Sequence, residues 1–289
     1  MTERVQKAQF DYFRLSGQTA IVTGSGNGIG RATAIMLADL GANVMVCDLE
    51  EDSARRVTEE ILARGGNAVF SPCDVTKLED IQATIAKTVE AFGDVDILVN
   101  NAASCGGGVR FDQMTYPEWN RLINTNLTSA YMFTNEVLPY MTRKKHGKIC
   151  MVSSGAAFGY DFSDPHYAAA KAGLLGLAKE LSQELAPYRI NVNALGTGLT
   201  DTRMAHLPDR SWEDETKGIP WYRVGTPEDQ AAAIVYLVSE AAEYVTGQVL
   251  CPNGGANRRT VSATTRLTSA IWKMSMWQYS AVPPSSRIN

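Results

Sequence analysis

The sequence has no long apolar run: nowhere does it reach the ~18–20 consecutive apolar residues of a membrane span. Its first fourteen residues, MTERVQKAQFDYFR, carry charges throughout and lack the apolar stretch of a signal peptide. Cysteine is sparse. Cys47, Cys73, Cys105, Cys150 and Cys251 are odd in number and scattered, with no CxxC or Cys/His ligand spacing. Neither a disulfide framework nor a metal knuckle is written there, so a reduced, cytoplasmic compartment is expected and no metal is. Positive charge is not in excess: 27 basic residues face 31 acidic ones, a net charge of -4 that argues against nucleic-acid binding. Repeats and low-complexity segments are also missing. What remains is ordinary globular composition, 45% apolar and 20% charged over 289 residues, enough for one large domain.

Apolar runs of strand length alternate with helical patterns, which predicts an α/β class with a parallel sheet. The strands fall at 20–23, 43–47, 68–72, 96–100, 148–152, 190–195 and 249–251, and the principal helices at 31–40, 52–63, 77–92, 116–142, 164–186 and 226–240. The first strand runs into Gly24-Ser25-Gly26-Asn27-Gly28-Ile29-Gly30 and then a helix. Backbone N–H groups converge there and the helix dipole favours negative charge, so this loop is a ready pyrophosphate site. The second strand ends in Asp48, about 20 residues on, where a carboxylate accepts both hydroxyls of an adenosine ribose and repels a 2′-phosphate. No Arg or Lys stands in the loop before Gly28 or at Leu49, so NAD is favoured over NADP.

The segment MVSSGAAFGYDFSDPHYAAAKA, residues 151–172, holds Ser154, Tyr167 and Lys171. Tyrosine and lysine four apart share a helix face, with Cβ atoms about 5–6 Å apart. A free tyrosine titrates near ~10, and a fixed cation favours the phenolate by about 1–3 units. The phenol then exchanges a proton near neutral pH, as a general acid/base must. Ser154, at a strand end, is placed to hydrogen-bond a substrate oxygen.

Ser154 followed thirteen residues later by Tyr167-x-x-x-Lys171, together with Thr23-Gly24-x-x-x-Gly28-Ile29-Gly30, resembles the short-chain dehydrogenase/reductase family over about residues 15–255. The resemblance implies a single Rossmann-type, doubly wound parallel sheet of about seven strands flanked by helices. It implies Asn126 as a fourth catalytic residue that bends its helix and orders a water linked to Lys171. It assigns Asp74 and the Val75 backbone to the adenine edge; the alternative reading of Asp74 is a cap of the next helix, and one residue can do both. Asn101 joins the cofactor set, with Tyr167 and Lys171 on the nicotinamide ribose and Thr200 and Thr202 on the carboxamide side. Three positions depart from the family pattern: Ala103 for glycine after Asn101-Ala102, Thr197 for proline, and Asn253 for aspartate before Gly254-Gly255.

The expected activity is therefore NAD-dependent interconversion of a secondary alcohol and a ketone. Residues 203–222, rich in Met, Leu, Trp and Tyr, read as a substrate lid, and the small wall Gly155-Ala156-Ala157 suits a bulky apolar or cyclic, steroid-like substrate. A polyol or sugar dehydrogenase, a 3-oxoacyl reductase and a non-catalytic NAD-binding regulator are the alternatives. A homodimer or homotetramer through the helices bearing Asn126 and Tyr167 is implied by the family. Residues 1–14 read as an arm pinned by Phe10, Tyr12 and Phe13. Residues 256–289 carry five basic residues and no acid, leaving the other 255 residues at -9. Leu267, Ile271, Met274 and Trp277 recur there at helical spacing, so a docked amphipathic helix, a membrane-surface helix and disorder all stay open.

Overall fold

The structure, a computed structural model, describes residues 11–159, 164–206 and 211–256. Seven strands form one sheet: β1 Thr19–Thr23, β2 Asn43–Asp48, β3 Asn67–Pro72, β4 Ile97–Asn100, β5 Gly147–Ser154, β6 Ile190–Thr197 and β7 Val249–Leu250. Their order is β3-β2-β1-β4-β5-β6-β7, and every neighbouring pair is parallel. Parallel neighbours require crossovers, and the helices supply them on both faces. These are α1 Gly28–Asp39, α2 Glu51–Ala63, α3 Leu78–Phe92, α4 Tyr116–Ile123, α5 Ser129–Lys144, α6 Pro165–Glu184, α7 Trp212–Lys217 and α8 Pro227–Val238.

Strand alternation divides the core in two. Ala20, Val22, Val44, Val46, Val99 and Val152 point to one face, where α1, α2 and α8 cover them. Ile21, Met45, Leu98, Ile149, Met151 and Val192 point to the other, under α3, α5 and α6. Both faces are buried, which is why the strands read as continuous apolar runs. The chain reverses direction across the sheet between β1 and β4, and ligands of such sheets bind at the carboxyl ends beside that switch point.

Two sequence expectations need correction. The single helix over 116–142 is two helices, because Asn124–Thr128 forms a π turn between α4 and α5 in which the Ser129 N–H donates to the Asn124 carbonyl. Strand β6 runs two residues past Leu195: threonine at 197 carries the N–H that proline would lack, and the register continues to Ser154 opposite Thr197. Within residues 203–222, Ser211 accepts from the Asp214 N–H and starts the short α7. Phe13 is exposed and Tyr12 half-buried, whereas Leu15 is fully buried and its N–H donates to the Leu40 carbonyl. Phe10, and the proposed helix through Leu267, Ile271, Met274 and Trp277, lie outside the described residues. No described helix is long and apolar enough to cross a membrane.

Candidate active site

At the carboxyl end of β1 the glycine loop turns sharply into α1. Gly24 sits at φ +62°, and a Cβ there would lie 2.8 Å from the Ala102 Cα. A Cβ on Gly30 would lie 2.2 Å from the Gly24 carbonyl oxygen, so only glycine lets the helix start against the loop. Asn27 is the N-cap but makes no side-chain capping bond, and Ile29 packs on the core beneath. The first-turn N–H groups are thus not claimed by the cap, as an anion site requires.

Asp48 ends β2 beside this loop. Its Oδ2 accepts from the Gly26 N–H at 2.8 Å and its Oδ1 from the Glu50 N–H at 3.0 Å, which fixes the carboxylate at the loop's rim. A Cβ on Gly26 would meet Ser53 and the Asp48 carboxylate at under 3 Å. A glycine cradle with an acid on its rim fits an adenosine diphosphate, and both features belong to this chain's own geometry. Asp74 follows β3. Its Oδ1 accepts from the Thr76 N–H and hydroxyl at 3.0 and 2.7 Å, and these bonds hold its carboxyl below the usual range. It caps this turn rather than α3, whose N-cap is Lys77, because Asp74 lies a full turn too early. Val75 packs on the core beside it. Asn101 acts through the loop itself: its Nδ2 donates to the Thr23 and Gly24 carbonyls at 2.9 and 3.0 Å, while the Thr23 hydroxyl accepts from the Asn101 and Ala102 N–H groups.

The catalytic candidates meet where β5 ends. Lys171 is buried, and its Nζ donates to the Val152 carbonyl at 2.8 Å. The Ser153 hydroxyl donates to the Lys171 carbonyl at 2.7 Å. These two bonds stitch α6 to the last residues of β5. Tyr167 lies one turn earlier on α6, and its ring centroid is 5.7 Å from Lys171 Nζ. Burial lowers the Lys171 pKa to about 8, because the charged form is removed from water. The Ser154 hydroxyl oxygen accepts from the Ala156 N–H at 3.2 Å, leaving its proton available to a ligand oxygen.

Asn126 sits in the π turn and is buried. Its Nδ2 donates to the Ser104 and Leu122 carbonyls at 3.0 Å each, and its Oδ1 accepts from the Ser104 N–H at 3.2 Å. Both amide hydrogens are engaged within the protein, so its visible work is to clamp the segment after β4. Nothing in the sequence marked Ser104 as the partner; that contact joins positions 22 apart and exists only in the folded chain.

The loop after β6 closes the site. The Thr197 hydroxyl donates to the Ser153 carbonyl at 3.2 Å, tying the loop's root to β5 in place of the proline's fixed φ. The Thr200 hydroxyl donates to the Gly198 carbonyl, and Thr202 leans on the glycine loop, its Cγ2 3.2 Å from a Cβ built on Gly28. Phe158, after β5, and Met204, Trp221 and Tyr222, within residues 203–222, are exposed apolar side chains.

Comparison with known proteins agrees with this geometry. Residues 24–257 match the protein family described as Enoyl-(Acyl carrier protein) reductase. A 3-oxoacyl-[acyl-carrier-protein] reductase, FabG, of Thermotoga maritima is 35% identical over 243 residues, covering 84% of this chain and 98% of that protein. A short-chain type dehydrogenase/reductase from Mycobacterium marinum superposes with a TM-score of 0.83 at 29% identity, over 87% of this chain and all of that one. A 7 alpha-hydroxysteroid dehydrogenase complexed with NADH and 7-oxo glycochenodeoxycholic acid superposes at 0.81 with 34% identity, over 86% and 97%.

Proposed function

This chain belongs to the short-chain dehydrogenase/reductase family, whose oxidoreductases use a nicotinamide cofactor, and from that premise we propose an NAD-dependent enzyme interconverting a secondary alcohol and a ketone. The observation that carries the reading is the buried Lys171 ammonium, fixed by the Val152 carbonyl and 5.7 Å from the Tyr167 ring. NAD, when bound, supplies the hydride acceptor. The glycine loop from Gly24 to Gly30 would hold its pyrophosphate, Asp48 its adenosine ribose, and Asp74 and Val75 its adenine edge, while Asn101 braces the loop and Thr200 and Thr202 would line the nicotinamide end.

Tyr167 removes the alcohol proton at its phenolate oxygen and returns it in the reverse direction. Lys171 keeps a positive charge beside the Tyr167 ring and would hold the nicotinamide ribose. Ser154 donates its hydroxyl proton to the substrate oxygen. Asn126 holds the Ser104 backbone and the Leu122 carbonyl in place, where a water would pass protons from Lys171.

The preferred substrate is bulky and apolar or cyclic, a reading supported by the exposed apolar Met204, Trp221 and Tyr222 of residues 203–222 and by the steroid-bound relative. A 3-oxoacyl reductase is the second reading, supported by the Thermotoga relative. A homodimer or homotetramer through α4, α5 and α6 is part of the proposal; exposed Ala169, Ala172 and Gly176 give α6 a surface small enough for close helix contact. The test is NADH absorbance against a panel of steroids, cyclic alcohols, polyols and hydroxyacyl esters. Turnover of the cyclic compounds supports the first reading and turnover of only the acyl esters the second. NAD binding with no turnover on any of them contradicts both.

A further inference from the structure

One ion pair joins the two banks of the cleft that the proposed cofactor occupies. Arg203 Nη2 lies 3.1 Å from Glu50 Oε1, linking the loop after β6 to the residue that caps α2, 153 positions away. Glu50 stands two residues after Asp48 and its N–H donates to that carboxylate. Arg203 directly follows Thr202, which rests on the glycine loop at Gly28. The segment Thr202-Arg203 therefore crosses from the pyrophosphate loop to the adenosine-ribose acid.

Both ends of this crossing are built rather than incidental. The Ser53 hydroxyl donates to Glu50 Oε2 at 3.0 Å, and Arg56 Nη2 donates to Ser53 Oγ at 2.9 Å, so each oxygen of Glu50 has a partner. The Arg203 hydrogen bond, then that of Ser53, holds the Glu50 carboxyl below its ordinary range and keeps it ionised. On the other bank, Arg203 opens a 3-10 turn bracketed by one histidine: His206 Nε2 pairs with Asp201 Oδ1 at 2.7 Å, and the Trp212 indole N–H donates to His206 Nδ1 at 3.1 Å. Since Nδ1 accepts, the neutral ring carries its proton on Nε2 and donates it to Asp201.

We propose that Arg203 and Glu50 form a clasp that holds the loop after β6 across the dinucleotide cleft and slows release of the nicotinamide cofactor. Arg203 is a positioning residue, acting through Glu50 and not on the reacting atoms. The inference rests on the NAD-binding reading above. An exposed pair of this kind contributes little to overall stability, but its breakage is a step the cofactor must await, and exposed pairs correspond to about a two- to fivefold change in a rate or equilibrium.

The experiment measures NADH release from the full chain by stopped-flow fluorescence, for the unmodified protein, Arg203→Gln, Glu50→Gln and the double variant. The expected result is release about two- to fivefold faster in each single variant and no faster in the double one, because removing either partner already opens the clasp. Raising ionic strength should speed release from the unmodified protein and leave the double variant unmoved. Unchanged or slower release in Glu50→Gln overturns the clasp, the slower case meaning that freed Arg203 grips a cofactor phosphate directly. Additive effects in the double variant overturn it as well. Failure of the NAD reading is distinguishable: the unmodified protein would bind NADPH and not NADH, and the same release measurements then judge the clasp with NADPH. Binding of neither overturns both.

Discussion

Lys171 holds its charge out of water at the end of β5. Its pKa, lowered by burial to about 8, means that the ammonium is fully present below that pH and is lost as pH rises through it. In the ketone-reducing direction Tyr167 must also be protonated, so both requirements fail on the same side. We expect kcat/KM for reduction to fall as pH rises above about 8, since that parameter reports the free enzyme. A profile level to pH values approaching the ordinary lysine range, about 10.4, contradicts the role given to Lys171. Asp48 is the second residue with a separable effect. Because its Oδ2 also holds the Gly26 N–H, Asp48→Ala would disturb the loop as well as the charge. Asp48→Asn keeps an accepting oxygen and removes the charge. It should shift the NADP-to-NAD ratio of kcat/KM upward by about tenfold or more, the change that about 1.4 kcal/mol of relieved repulsion produces. Equal use of both cofactors by the unmodified protein would show that Asp48 is not the selector.

At the scale of the element, the π turn at Asn124–Thr128 is where local sequence and tertiary demand conflict. Asparagine is a poor residue inside a helix, and here its side chain is drawn to Ser104 instead of to solvent. Asn126→Leu keeps the bulk and leaves the Ser104 N–H and carbonyl without partners. We expect kcat to drop by about 10²-fold through misplacement of the segment after β4, with a thermal midpoint lower by about 2–6 °C. A variant with normal kcat would mean that the clamp is dispensable. The elements themselves were largely legible beforehand. Strands buried on both faces are written as apolar runs such as Ile97-Leu98-Val99, and the strand–glycine–helix passage at Gly24–Gly30 has a conformational reason that glycine alone satisfies. Three features were not legible, each settled by contacts between distant residues. The break in the helix over 116–142 depends on Ser104, and the extension of β6 depends on its pairing with β5. The turn at Asp74 depends on Thr76 taking up the carboxylate before α3 begins. The bonds from the Asn101 amide to the Thr23 and Gly24 carbonyls were likewise not legible, since no spacing rule shows which loop a side chain braces.

On the scale of the whole molecule, one sheet and two core faces, all within residues 11–256, place every assigned group along the carboxyl ends of the strands. A chain ending at Ala256 should accordingly keep a cooperative thermal transition and its NADH affinity, while any change in oligomer size by light scattering reports what residues 257–289 contribute. Loss of the cooperative transition would mean that the core is incomplete without them. The central claim is that this fold carries out hydride transfer with Tyr167 as the proton-transfer group. It is tested most directly by following NADH absorbance with the unmodified protein and Tyr167→Phe side by side on whichever alcohol turns over. The account predicts that the phenylalanine variant binds NADH with nearly unchanged affinity while kcat falls by about 10²–10⁴-fold or more. A variant that keeps more than about a tenth of the original kcat, a barrier difference under about 1.4 kcal/mol, would contradict it.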